Sequence, residues 1–135
     1  MVSNTVDLTG ALANYRVERI VLAPGTYNLT AQLSVTRSIV IEAAVAGSVV
    51  LHARASPSSQ RRVLFISPGS LGVVRLSGIH ITGGYIDRDY GGGVYVSSGT
   101  VTIESSSIYG NTAVCVNCGP NWAWENGGQY GGAGV

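Results

Sequence analysis

Apolar residues recur in pairs spaced two positions apart, and this repeat constrains the fold of the chain more than any other feature. The clearest pairs are Ile39 with Ile41, Val74 with Leu76, and Val101 with Ile103. Residues two positions apart point to the same face of a β-strand, so each pair predicts a strand with one buried face. Because the pairs recur along the chain, they predict solenoid turns that stack on one another.

The similarity between two of the repeats extends beyond the apolar pairs. Segment 76–84 (LSGIHITGG) aligns without gaps with segment 103–111 (IESSSIYGN), which places Ile81 and Ile108 at equivalent positions. In both segments the isoleucine is followed by a Gly-Gly or Gly-Asn pair, and these residues adopt positive φ most readily. We therefore predict corners with a left-handed turn conformation here, and loops inserted at corners explain why the repeat length varies.

Two further blocks carry a resemblance to a known superfamily. Gly91-Gly92-Gly93-Val94 returns near the end of the chain as Gly132-Ala133-Gly134-Val135, and Ile108-Tyr109-Gly110-Asn111 forms a separate block. With these blocks the chain resembles the right-handed parallel β-helix (pectin lyase-like) superfamily, and within it the repeats of polymorphic outer-membrane-type adhesins. Those repeats carry a Gly-Gly-Ala-aliphatic block and a Phe-x-x-Asn block, whose aromatic position is occupied here by Ile108. Segment 20–29 (IVLAPGTYNL) is similar to the opening rung of many proteins of this fold.

The repeat and the resemblance together predict an all-β chain with a single domain. Residues 19–135 are expected to form a right-handed parallel β-helix solenoid of about four rungs, preceded by an N-terminal cap over residues 1–18. Short strands are predicted from Ile20 to Glu104, with a projecting polar loop over Ala53–Arg62. The composition agrees, since 45% of the residues are hydrophobic, only 11% are charged, and 19 are glycine.

The N-terminal cap is predicted to contain a short amphipathic helix. Leu8 and Leu12 lie at helical spacing within Thr5–Arg16, and Asp7 or Thr9 is the expected N-cap. Such a helix would cover the open edge of the first rung, which is a contribution to stability rather than to function.

Charge and hydropathy exclude several classes of partner. The formal net charge is +1, which is too close to zero to favour nucleic acid or an anionic membrane as the partner. No run approaches the roughly 20 apolar residues of a membrane span.

Met1–Asp7 lacks the basic and apolar regions of a secretory signal. Val135 falls where the preceding repeat enters the strand Val94–Val96, so we expect a mature piece of an extracellular or cell-surface protein, cut within a repeat.

Two cysteines lie close together in Cys115-Val-Asn-Cys118. This spacing is compatible with half of a zinc site, a redox dithiol or a small disulfide. Zinc would need two more ligands, no second cysteine pair exists, and His52 and His80 are distant in sequence. The redox interpretation expects a βαβ context that the chain lacks. A local disulfide or two free thiols remain, and for an exported protein the disulfide is favoured.

Two tryptophans follow the cysteines in a glycine-rich segment. Trp122 and Trp124 are predicted to form a sugar-stacking platform or a contact patch, with Glu125 and Asn126 beside them to bond sugar hydroxyls. The alternative is that one or both indoles fold back onto the flank of the solenoid.

The only close acidic pair is in Asp87-Arg88-Asp89, predicted on a loop between Gly84 and Gly91. Polysaccharide lyases use carboxylates that hold Ca²⁺ together with a base, and hydrolases use paired carboxylates. Asp87 and Asp89 are therefore candidate Ca²⁺ ligands and the three residues candidate catalytic groups, whereas the alternative is a solvated turn with an internal ion pair. His80 alternates with Ile79 and Ile81, so it is expected on the outer face of a strand.

Three hypotheses about function follow from these patterns. The leading one is a non-catalytic extracellular or surface module, similar to adhesins, that binds glycans or proteins. A second is a structural subunit that docks or stacks through its C-terminal rung within a larger assembly. The third is an enzyme of the polysaccharide lyase or hydrolase kind. No metal site and no cofactor are predicted beyond the Ca²⁺ alternative.

Overall fold

The chain folds as a parallel β-solenoid of about three turns with one short N-terminal helix. The structure is a computed structural model and describes residues 1–114. The elements in chain order are α1 (Thr5–Ala13), β1 (Arg19–Leu22), β2 (Gly25–Asn28), β3 (Leu33–Val35), β4 (Ile39–Ala43), β5 (Val49–His52), β6 (Leu64–Ile66), β7 (Val73–Ser77), β8 (Ile79–Thr82), β9 (Tyr85–Asp87), β10 (Val94–Val96), β11 (Thr100–Glu104), β12 (Ser107–Ile108) and β13 (Thr112–Val114).

The strands form stacked parallel sheets, each with strands from successive turns. The first sheet has the order β1-β4-β7-β11, the second β12-β8-β5-β2, and the third β10-β6-β3, while β13 pairs with β9. The predicted all-β solenoid is thereby confirmed. No helix within residues 1–114 has the length and apolar character needed to cross a bilayer.

The register predicted from the apolar pairs is confirmed strand by strand. Ile39 and Ile41 of β4 lie opposite Val74 and Leu76 of β7, and these in turn lie opposite Val101 and Ile103 of β11. The second sheet places Ile81 opposite Ile108, as the aligned segments predict. Inward side chains of successive turns therefore stack in columns, and Leu76 is only 1% exposed.

The corners show why glycine and asparagine end the repeated segments. Gly83 and Gly110 adopt φ of 79° and 63°, which confirms the predicted left-handed corners. Asn111 spans two turns, because its Oδ1 accepts a hydrogen bond from the Gly84 N–H at 2.9 Å and its Nδ2 donates to the Ile81 carbonyl at 3.0 Å. The asparagine of the block thus ties one corner to the corner of the preceding turn.

The helix begins at Thr5, as predicted, but a different residue caps it. Asn4, not Asp7 or Thr9, is the N-cap: its Oδ1 accepts from the Asp7 N–H at 2.8 Å, and its Nδ2 donates to the Asp7 carboxylate at 2.9 Å. The helix ends at Ala13 instead of Arg16. Leu8 is fully buried against the core, so α1 packs on the solenoid as a cap would.

The residues before the helix are tied to the first turn. Val2 forms a parallel bridge with Leu22, with its N–H donating to the Val21 carbonyl at 2.9 Å. The buried Tyr27 hydroxyl lies 2.9 Å from the Val2 carbonyl and 2.7 Å from that of Ala23. Burial raises the pKa of Tyr27 above its usual 10.0, against the weaker opposing influence of the Ala23 hydrogen bond.

We expect replacement of Leu76 by Asp to abolish the stacking of β7 on its neighbours. The change removes a buried side chain and places an unpaired charge in the core, so the free energy of unfolding should fall by about 3 kcal/mol or more. Val73→Asp on the same strand is the matched control, since Val73 is 54% exposed, and its effect should stay within about 0.5 kcal/mol. Urea denaturation measures both, and equal effects would contradict the assigned register.

A second expectation concerns alkaline pH. Because the pKa of Tyr27 is raised in the folded state, its stabilising contribution is complete below pH of about 10 and is lost as the pH rises above that value. Tyr27→Phe should lower stability at neutral pH by about 1 kcal/mol and should remove part of the loss above pH of about 10. Thermal melting across this range, with the exposed Tyr15→Phe as control, tests it. Parallel pH profiles for wild type and Tyr27→Phe would show that this phenol does not contribute.

Candidate functional site

A groove opens between α1 and the segment 30–36, which contains β3. Its volume is about 470 Å³. Several hydroxyl and amide side chains contribute to the lining: Thr5, Thr9, Thr30, Gln32, Ser34 and Thr36. The remaining lining is apolar or aromatic: Leu12, Ala13, Tyr15, Ala31 and Leu33. We refer to this feature as the α1–β3 groove.

The α1–β3 groove carries no aspartate, glutamate, arginine or histidine in its lining. Its polar groups are hydroxyls, which both donate and accept hydrogen bonds, and an amide, which does the same with separate atoms. Such a lining suits an uncharged ligand rich in hydroxyl groups, since an anion or cation would find no opposite charge there.

The alternation of β3 places Ser34 in the groove. Leu33 and Val35 point inward and are buried, whereas Ser34 between them is exposed on the outer face. Leu33 donates to the Val63 carbonyl at 2.9 Å and Val35 accepts from the Ser67 N–H at 2.8 Å, so these two residues make the ladder with β6. In a parallel ladder alternate residues face opposite edges. The Ser34 N–H and C=O are therefore directed away from β6.

Arg37 fixes the helix wall of the groove. Its guanidinium donates to the carbonyls of Ala11 at 3.1 Å and Asn14 at 2.7 Å, and also to that of Val17. A cation at these carbonyls is favourable because the C-terminal end of a helix carries partial negative charge. The same guanidinium lies 5.7 Å from the centre of the Tyr15 ring, which is 78% exposed. Arg37 thus holds both the end of α1 and the aromatic residue at the groove.

An aromatic column continues from the groove along the outer face of the third sheet. The register places Ser34 of β3 opposite Phe65 of β6, and Phe65 opposite Tyr95 of β10. The rings of Phe65 and Tyr95 are nearly parallel, at 7°, with centres 5.7 Å apart. Tyr90 stacks on Tyr95 at 6.4 Å, and the Arg62 guanidinium lies 4.8 Å from the Tyr95 ring centre.

The acidic segment is built differently from the predicted loop. Asp87 is the last residue of β9, not part of a loop, and its N–H donates to Gln60 Oε1 at 3.1 Å. The Asp89 carboxylate pairs with Arg62 at 2.7 Å and accepts from the Tyr90 N–H at 2.8 Å. Arg62 therefore contacts both this segment and the aromatic column.

No cluster of three or more His, Cys, Asp or Glu side chains with the arrangement of a metal site occurs within residues 1–114. The Ca²⁺ site at Asp87 and Asp89, and the catalytic roles of Asp87, Arg88 and Asp89, stay predictions. Arg88 adopts φ of 62°, and its N–H donates to the Val114 carbonyl at 2.7 Å.

His80 lies on the outer face of β8, as predicted from its alternation with buried Ile79 and Ile81. Its ring meets the edge of Tyr109 on the next turn, with centres 6.0 Å apart and planes at 75°. The buried Nδ1 finds no hydrogen-bond partner among the residues that the structure describes.

The remaining sequence-predicted site residues lie outside the described part of the chain. These are Cys115, Cys118, Trp122, Trp124, Glu125 and Asn126.

In β11, Val101 and Ile103 are half-buried, whereas their counterparts Val74 and Leu76 in β7 are buried. The prediction that another polypeptide docks at the C-terminal rung stays a prediction.

Comparison with known proteins adds no relative to this description. No protein-family model, no curated protein and no solved structure matches the chain. The fold supports the resemblance stated from sequence at the level of the parallel β-solenoid. No match supports the pectin lyase-like or the adhesin assignment.

We expect Arg37→Met to loosen the helix wall of the groove, because it keeps the apolar stem but removes all donors to the helix-end carbonyls. The free energy of unfolding should fall by about 2 kcal/mol. The amides of Leu8 to Ala13 should also exchange faster with solvent. Arg16→Met, at an exposed residue near the same helix end, is the control. Unchanged exchange in Arg37→Met would show that apolar packing alone holds α1.

Proposed function

We propose that this protein is a non-catalytic carbohydrate-binding module that takes a neutral glycan into the α1–β3 groove. The observation that carries the proposal is the lining of the groove, which combines hydroxyl and amide side chains with an exposed tyrosine ring and contains no charged side chain. The setting proposed is extracellular or at the cell surface, where glycans of this kind are displayed.

The chemistry of a neutral sugar is complementary to these groups. Sugar hydroxyls exchange hydrogen bonds with Thr30, Gln32 and Thr36, which can act as donors or acceptors. The apolar C–H face of a sugar ring packs on an aromatic surface, for which Tyr15 is exposed at the mouth of the groove. Arg37 supports the ring of Tyr15 from one side, so the ring keeps its place when the ligand is absent.

The lining also favours binding over cleavage. Glycoside hydrolysis uses two carboxyl groups that flank the scissile bond, and the α1–β3 groove is lined by none. An acidic glycan would need a free cation, whereas the nearby Arg37 already donates to several backbone carbonyls. The groove therefore favours a neutral glycan that leaves unchanged.

The test is a screen of the full chain on an array of neutral and acidic oligosaccharides, followed by calorimetric titration of the neutral oligosaccharide that binds best. The double variant Thr30→Val and Thr36→Val keeps the shape of both side chains and removes their hydroxyls. We expect its affinity to be about tenfold lower, equivalent to about 1.4 kcal/mol.

The matched control is the double variant Thr100→Val and Thr102→Val, which removes two exposed hydroxyls from the outer face of β11. Its affinity should equal that of the wild type. Binding confined to acidic oligosaccharides, or equal losses in both double variants, would contradict a neutral-glycan site in the groove. Products released from the oligosaccharide during the titration would contradict a non-catalytic role.

A further inference from the structure

We infer that the glycan extends beyond the α1–β3 groove, past Ser34, onto the face of Phe65, which acts as a second stacking position. This inference rests on the proposed function and specifies its ligand as a linear neutral oligosaccharide rather than a single sugar. It follows from the small side chain of Ser34 on β3, which occupies the position where the next two turns have the aromatic rings of Phe65 and Tyr95.

Within residues 1–114, the series of outward side chains ends at the groove with Ser34. Each turn contributes one outward side chain to the series Ser34, Phe65 and Tyr95, which the parallel register aligns. Tyr95 covers one face of Phe65 in a nearly parallel stack. Tyr90 and Arg62 also contact the Tyr95 ring, at 6.4 Å and 4.8 Å from its centre.

The other face of Phe65 is turned toward β3, where Ser34 is too small to cover a ring. Neighbouring strands lie about 4.8 Å apart, and the Phe65 and Tyr95 rings show that adjacent turns have room for one stacked ring each. Ser34 therefore leaves the place of one flat ring below Phe65. Because Ser34 also lines the groove, this place is continuous with it.

The surroundings of this place favour a sugar as its occupant. The ring face of Phe65 offers an apolar surface, while Ser34 supplies a hydroxyl and, at the free edge of β3, a backbone N–H and C=O directed away from β6. A pyranose presents the matching combination of an apolar C–H face and a hydroxyl rim. The Arg62 side chain is 11% exposed and fixed by Asp89, so Tyr95 backs Phe65 rigidly.

Two substitutions test the subsite from opposite directions. Phe65→Leu keeps apolar volume but removes the flat face, and Ser34→Tyr fills the vacant place with a ring that continues the column. We expect each to weaken binding of the longest array oligosaccharide about tenfold. A tenfold loss is the change expected of one stacking contact. Phe65→Leu changes no residue of the groove lining, so its affinity for the shortest fragment should stay within about twofold of the wild type.

Thermal melting accompanies the titrations, because Ser34→Tyr should melt at or above the wild-type temperature if its ring stacks on Phe65. Ser70→Tyr, at an exposed corner, is the control for adding a tyrosine. If the wild type binds and the Thr30/Thr36 variant weakens it, but Phe65→Leu and Ser34→Tyr both bind every length as the wild type does, the subsite is wrong and the groove stands. If the wild type binds no neutral oligosaccharide, or binds an extended peptide instead, both proposals fail.

Discussion

The structure depends on one constraint, the in-register stacking of inward aliphatic side chains between parallel turns. Once Val74 and Leu76 lie over Ile39 and Ile41, the residues that alternate with them on the two strands, Val40 and Arg75, face outward. The hydrogen-bonded ladder then repeats that choice on each turn. Columns of outer side chains, including the aromatic column that begins at Ser34, are therefore a by-product of core packing. The solenoid converts a pattern selected for burial into an ordered surface.

The columns of the core could be predicted from sequence because alternation is local and periodic. The apolar pairs at Ile39 and Ile41, Val74 and Leu76, and Val101 and Ile103 predict strands, and the structure has β4, β7 and β11 at these places. The strands β9, β12 and β13 were missed, since they have two or three residues each and show no alternation that a short window can detect. The N-cap was misassigned because Asn4, Asp7 and Thr9 are all residue types that favour this position, and only the backbone geometry shows which of them precedes the first turn.

The α1–β3 groove could not be predicted, because it depends on contacts between residues far apart in sequence. Arg37 sits in an ordinary corner sequence, and nothing local indicates that its guanidinium will reach the carbonyls at the end of α1. The acidic pair illustrates the reverse error. Asp87 and Asp89 are close in sequence, which suggests a joint site, yet Asp89 pairs with Arg62 from another turn. In a solenoid the next turn is only one strand spacing away, so residues that are close in sequence are often paired with side chains of another turn and not with each other.

The corner at Gly84 limits how this scaffold can be re-engineered. A Cβ on Gly84 would lie 1.8 Å from the carbonyl oxygen of Gly92, so the two backbones touch with no room for any side chain. Loop grafting, lengthening of the turn or labelling with a reactive side chain must avoid this point. Pro57 to Gln60 are exposed within the polar segment 53–62, so foreign sequence is better placed at this corner. An affinity reagent built on this solenoid would have to keep the corner at Gly84 unchanged, whereas the corner at residues 57–60 could be varied.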